Sequence, residues 1–256
     1  MEDERAERER PALRGRVGLV SFPRSGSTLM RLLLEQRTGL CTGSDGSLAW
    51  PLIFRLRGYG LRGEGRVDCW CVKSHWPERR GRHLRVAAAV IIARNPFDAI
   101  ESMWHFLATR SHERTSRRRE PASWDAHVRG HARSWAAFHD HWLAAGADVV
   151  RFEDIVEAGE ARDAAVERVA ALGLALGAPI PERAAMRPTA LARAKRSGCV
   201  GAGLAHFSAD QHAFVLATCG GSMRALGYDD SGAATAEPRR PAEPLMKGDG
   251  IALSAH

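Results

Sequence analysis

The sequence predicts an α/β protein in which a central parallel sheet carries helices on both faces. Three observations lead there. Short apolar runs alternate along the chain with segments of helical period, the pattern of βαβ units rather than of hairpins. The clearest run, Val86 to Ala93 (VAAAVIIA), is apolar throughout, as a strand buried on both faces is. A third stretch, Val17 to Phe22, passes through the turn Pro-Arg-Ser-Gly-Ser-Thr straight into a leucine-rich helix.

In chain order, residues 1–16 carry charges of both signs and read as a flexible tail, and the folded domain is expected over 17–228. Val17–Phe22 forms a buried strand that Pro23 ends, and the following helix, with Leu29, Leu32, Leu33 and Gln36 on its pattern, runs to about Arg37 with Gly39 as its stop. Cys41 to Gly65 is rich in turn residues and reads as a long surface excursion. Val67–Val72 is expected as the second strand and Val86–Ala93 as the third. Pro96 then sits in the first turn of a helix carrying Ile100, Met103, Trp104 and Leu107. A longer helix, Trp124 to Leu143, places Val128, His131, Trp135, Phe138 and Trp142 on one stripe. Asp148–Phe152 reads as a strand, Arg162–Leu176 as a helix, and Ser208–Leu226 as a last helix with Ser208 as its N-cap. The Ala/Pro/Gly-rich residues 229–256 read as a disordered tail.

A chain of 256 residues suits one substantial domain, and 45% hydrophobic with 26% charged residues is an ordinary globular balance. The net charge of +7 favours a negatively charged partner: nucleic acid, a membrane surface or a phosphorylated small molecule. Lys73, Lys195 and Lys247 are the only lysines, so the arginine excess looks like a coding bias and a solvated face explains most of the charge. Five scattered cysteines make no disulfide framework, and Cys69 and Cys71 read as small buried thiols. The first residues lack the apolar core of a secretory leader, and no apolar run is long enough to cross a bilayer. A cytoplasmic chain is expected on that basis, a Golgi location only if the sequence is part of a longer, anchored protein.

The segment VGLVSF-PRSGST-LMRLLLE has the chemistry of an anion-binding loop. Gly26 allows the backbone close to an anion, the first N–H groups of the helix point at it, Ser27 and Thr28 add hydroxyls, and Arg24 adds a planar charged fork. A Walker A loop needs a lysine before its Ser or Thr; none stands before Ser27 or Thr28, which disfavours an ordinary ATPase or kinase.

Five motifs taken together resemble the PAPS-dependent sulfotransferase family, where PAPS is 3′-phosphoadenosine 5′-phosphosulfate. PRSGST after a strand resembles the family's 5′-phosphosulfate loop, PKSGTTW. Arg94-Asn95-Pro96-Phe97-Asp98-Ala99-Ile100-Glu101-Ser102 resembles its 3′-phosphate motif R-N-P-x-D-x-x-x-S. Lys73-Ser74-His75-Trp76-Pro77 is similar to K-T-H-x-P, Arg151-Phe152-Glu153-Asp154 to the Y-E-D strand end, and Arg196-Ser197-Gly198 to the late R-K-G phosphate contact. The matches keep the family's order from Val17 to Tyr228. Within the family, LLEQRTGLCTGS, CVKSH, IIARNPFDA and KRSG look most like the sulfotransferase domain of WSC-domain-containing proteins.

The resemblance implies a three-layer P-loop-like fold, PAPS as co-substrate with PAP as its product, and no metal. It implies His75 as general base, with Lys73 and Arg24 offsetting charge at the sulfonate and the leaving phosphate. Ser25, Gly26, Ser27 and Thr28 would hold the 5′-phosphate together with Arg24. Arg94, Ser102 and Arg196 with Ser197 and Gly198 would hold the 3′-phosphate. Two departures bear on the donor: Arg24 stands where the family has lysine, and Leu29 stands where it has the tryptophan that stacks on adenine, leaving Phe152 to supply aromatic contact.

Rival readings remain. One is another P-loop-fold nucleotide-binding transferase or kinase. A second is a basic nucleic-acid-binding or anion-binding protein with Arg117, Arg118 and Arg119 as its patch, although no nucleic acid is expected as a partner. A third is a non-catalytic relative that keeps the fold. His127, His131, His139 and His141 invite a metal reading, but packing of their helix into the core is preferred. The acceptor stays open between a carbohydrate and a small alcohol or phenol, with Cys41–Gly65 and Ser111–Ala122 as the segments expected to shape its pocket.

Overall fold

The computed structural model describes residues 15–45, 68–75, 84–111, 114–116, 119–181, 200–238 and 251–253. In order these form β1 (Val17–Val20), α1 (Ser27–Thr38), β2 (Gly43–Ser44), β3 (Cys71–Ser74), β4 (Leu84–Val86), β5 (Ala88–Ala93), α2 (Pro96–Thr109), α3 (Pro121–Ala144), β6 (Asp148–Arg151), α4 (Phe152–Val156) and α5 (Glu160–Ala175). A one-turn 3-10 helix (Gly203–His206), α6 (Ala209–Ala225) and β7 (Ile251–Leu253) complete them.

The main sheet is all parallel in the order β2-β3-β1-β5-β6. Alternation along each strand sorts the core into two layers. Val17, Leu19, Cys71, Val90, Ile92 and Val150 face α1, α4 and α5. Val20, Val72, Ala89, Ile91 and Val149 face α2, α3 and α6. The fold is therefore α/β with three layers, consistent with the P-loop-like class. Trp135 and Trp142 of α3 are wholly buried against the second face, each contributing roughly 2–3 kcal/mol by area removed from water. Among the described residues no helix is long and apolar enough to cross a membrane.

Local chemistry sets the helix ends, with Gly39, Pro96 and Ser208 in the places expected of them. Gly39 takes the left-handed cap of α1. Asn95 caps α2 through Asp98 N, with Pro96 at the first helical position, and Ser208 with Gln211 forms a reciprocal capping box on α6.

Several expectations shift. The excursion from Cys41 begins inside the sheet, because the buried Arg31 grips Thr42 through Nε to Oγ1 (3.0 Å) and Nη2 to the carbonyl (2.9 Å). Glu35 accepts from the N–H and the hydroxyl of the same threonine, both at 2.8 Å, so β2 is fastened to α1; residues 46–65 lie outside the described residues. The second strand starts later than Val67, at Cys71, and runs into Lys73 and Ser74. The third is split at Ala87, where the N–H groups of Ala87 and Ala88 turn to the Arg16 carbonyl and β4 leaves to pair antiparallel with β7.

Residues 229–238 do not behave as the expected tail. Thr235 N–H donates to Gly227 O (3.0 Å), Tyr228 bridges to Ala234, and Arg151 Nη1 donates to Ala236 O (2.6 Å). The strand expected to reach Phe152 ends at Arg151, whose guanidinium also pairs with Asp154.

Two histidines of α3, His127 and His139, are buried packing elements. His127 stacks on Trp124, meets Trp104 edge-on and donates Nε2–H to the Ile100 carbonyl, and burial pushes its pKa down to about 4. His139, wholly buried beside Trp135, is pushed down to about 3 by burial. Both stay neutral in the folded chain while their unfolded counterparts take up a proton below about 6.5. Stability is thus expected to fall as pH drops from about 6.5 towards 4, by at most about 1.4 kcal/mol per pH unit per histidine. Urea midpoints from pH 7 to pH 5 check this, and His139→Phe should flatten the slope.

Candidate functional site

The strand order reverses around β1, with β3 on one side and β5 on the other, which makes the carboxyl ends of these three strands the switch point where sheets of this class bind ligands. The turn after β1, the histidine after β3 and the arginine after β5 all open onto that edge.

The turn is tightly specified. Gly26 caps α1 at φ 92°, a left-handed conformation, and no side chain caps the helix there. A Cβ at Gly26 would lie 2.5 Å from Phe152 Cδ2, so only glycine lets the turn sit on that ring. Arg24 is also left-handed, at φ 73°, a strained state costing about 1–3 kcal/mol for a residue with a side chain. Ser25 is 1% exposed and its Oγ has no hydrogen-bond partner among the described residues. Ser27 is buried and Thr28 half-buried at the first turn of α1.

Arg94, 4% exposed, fixes the turn from the other side. Its Nη1 donates to Arg24 O (3.1 Å), its guanidinium lies over the Phe152 ring at 4.5 Å, and Nη2 stands 4.0 Å from Asp98 Oδ2. Its Nε is a second buried polar atom without a partner among the described residues. Arg24 Nε donates to Ser102 Oγ (3.1 Å), and its guanidinium stands 5.2 Å from the Phe106 ring. The structure thereby brings Arg24, Ser25, Gly26, Arg94, Ser102 and Phe152 into one contiguous group.

On the β3 side, Lys73 pairs in register with Leu19 and Ser44, and its side chain is half-buried. His75 follows one residue after β3. Its Nδ1 lies 2.6 Å from Ser21 O and 3.2 Å from Ser21 Oγ. A carbonyl oxygen only accepts, so Nδ1 carries the hydrogen and Nε2 holds the lone pair of the neutral ring. Arg196, Ser197 and Gly198 lie outside the described residues. The chain resumes at Val200, and Asp98 accepts from Gly201 N and Gly203 N, both at 2.8 Å.

Sequence reasoning missed three supporting groups. Ser21 orients His75 through its main chain, which no side-chain pattern reports. Asp98 stood within a quoted motif without a role; it ties the 201–203 stretch to α2. Glu153 accepts from Tyr228 Oη (2.7 Å) and from Asn95 N and Nδ2 (3.2 and 3.1 Å), joining β6 to the β5–α2 junction. Burial raises the Glu153 carboxyl, against the opposing pull of these donors and of Arg94.

Of the arginine run, Arg119 is committed to Glu101 (2.5 Å) and lies 5.2 Å from the Trp124 ring; Arg117 and Arg118 are outside the described residues. Glu101 also meets His206 and His105. Among the described residues no group of three or more metal-ligating side chains assembles.

The described group defines an α/β chain with an anion-suited turn at the switch point of a parallel sheet. No model of a known protein family matches the sequence. Substituting Gly26→Ala is expected to destabilise by about 1–3 kcal/mol through the left-handed φ and the ring contact, read as a lower urea midpoint.

Proposed function

We propose that this chain is a PAPS-dependent sulfotransferase acting on a hydroxyl or amine acceptor. The observation that carries the reading is the meeting, at one sheet edge, of an uncapped helix turn, a buried arginine and an oriented histidine from three neighbouring strands. Three of the five motifs that resemble the family lie in these segments.

The residues present fit an oxyanion. Ser25 Oγ and Arg94 Nε are buried without partners among the described residues, a costly state that an anion's oxygens would relieve. The N-terminal turn of α1 adds its partial positive charge. In this reading Arg24, Ser25, Gly26, Ser27 and Thr28 hold the 5′-phosphosulfate end. Arg94 and Ser102 serve the 3′-phosphate, with Arg196, Ser197 and Gly198 as further holders proposed from the sequence. When bound, the donor supplies an electrophilic sulfonate and a phosphate leaving group.

His75 acts as the base. With Nδ1–H held by Ser21 O, Nε2 is the atom that accepts the acceptor's proton. Lys73 and Arg24 offset negative charge, Arg24 as a permanent cation that shields but does not donate a proton at neutral pH. The acceptor class proposed is a sugar hydroxyl or a small alcohol, and the setting is one in which PAPS is present.

Thermal unfolding with PAP, ADP and ATP tests the donor. At a hundredfold excess over Kd, PAP is expected to stabilise by about 2.7 kcal/mol, a rise of roughly 5–10 °C for a domain of this size. Ser102→Ala should shrink the PAP rise and leave any ADP rise unchanged. His75→Ala should keep the PAP rise while label from PAPS no longer reaches a mixed pool of glycans and alcohols. Equal stabilisation by ATP, or none by PAP, would overturn the reading.

A further inference from the structure

We propose that Phe152 is a positioning residue that holds the anion turn and Arg94 in register, rather than a platform for the donor's base. The inference rests on the donor reading above and deepens it.

One face and one edge of the Phe152 ring are already in use. The Arg94 guanidinium lies over the ring at 4.5 Å, close enough for cation–π attraction in a buried setting. The ring edge fills the space beside Gly26, where a Cβ would fall 2.5 Å from Cδ2. The residue is 6% exposed, so little of the ring is open to an adenine. Phe152 stands immediately after β6, and β6 pairs with β5 so that Ala93, the residue before Arg94, is opposite Arg151. Sheet register therefore delivers the ring under Arg94 with no freedom to slide. From Phe152 the contacts continue through Arg94 to Arg24 O, and from Arg24 Nε to Ser102. One ring braces the segments after β1 and β5 at the same time. Leucine in its place would keep much of the volume and lose the flat face.

This role makes a prediction that stacking on a base does not. Affinity should depend on Phe152 even for a ligand that has no base. Calorimetric binding of PAP and of methyl riboside 3,5-bisphosphate, a base-free probe, is compared for wild type, Phe152→Leu and Phe152→Tyr. Phe152→Leu is expected to weaken both ligands by the same factor, about tenfold, and Phe152→Tyr to restore both. Loss confined to PAP, with the base-free probe unchanged, would overturn the proposal in favour of stacking.

Hydrogen exchange on the ligand-free protein supplies a readout that does not depend on the donor. Amides of Ser25 to Leu29 should exchange faster in Phe152→Leu than in wild type or Phe152→Tyr, while those of Ala89 to Ile92 keep their protection. Unchanged exchange in the turn would refute the positioning role. If neither ligand binds wild type, the donor reading fails, and the exchange comparison still decides the role of Phe152.

Discussion

A guanidinium buried as deeply as that of Arg94 is costly unless its charge and its N–H groups are answered, and the carboxyl edge of the sheet is organised around that need. Each partner comes from a different segment: a main-chain carbonyl from the turn after β1, an aromatic face from the start of α4, and a carboxylate in the first turn of α2. Satisfying one residue thus draws three strand ends together. It also accounts for the strain at Arg24, whose carbonyl is held by Arg94 and whose side chain is carried to Ser102. The compensation is incomplete at Nε, and an oxyanion would answer that remaining demand under the proposed function.

The acidic residues nearby serve as fasteners. Asp98 binds the 201–203 backbone, where Gly203 is needed because a Cβ would stand 2.7 Å from Phe97 O. Glu101 collects Arg119 and His206 from the two neighbouring segments. Glu153 and Arg151 hold Tyr228 and Ala236. In a chain with a large positive balance these carboxylates serve inside the fold, where they tie backbone segments and answer arginines.

The legibility of the sequence followed the range of each interaction. Short-range chemistry was readable: Gly39 as a helix stop, Ser208 as a cap, Pro96 in a first helical turn and Gly26 in a tight turn before a helix. Apolar periodicity located the strands and the stripe of α3. What escaped depended on partners distant in sequence. Nothing in VAAAVIIA announces the break at Ala87, which arises from Arg16 on one side and β7 on the other. Gly43-Ser44 becomes a strand because it pairs in parallel with Val72 and Lys73 of β3. The assignment of Phe152 to a base came from a motif position, whereas its surroundings are set by Gly26 and Arg94, remote from it in sequence and on different strand ends.

The small antiparallel ribbon of β4 and β7 carries a consequence for how the chain acquires its shape. Val86 pairs with Ile251, whereas β1, β3 and β5 join one another across far shorter stretches of chain. During synthesis the central sheet has all its strands available well before residue 251 leaves the ribosome, so the ribbon closes last. Until then the backbone edge of β4 lies next to the finished sheet without its partner, open to strand addition by another nascent chain.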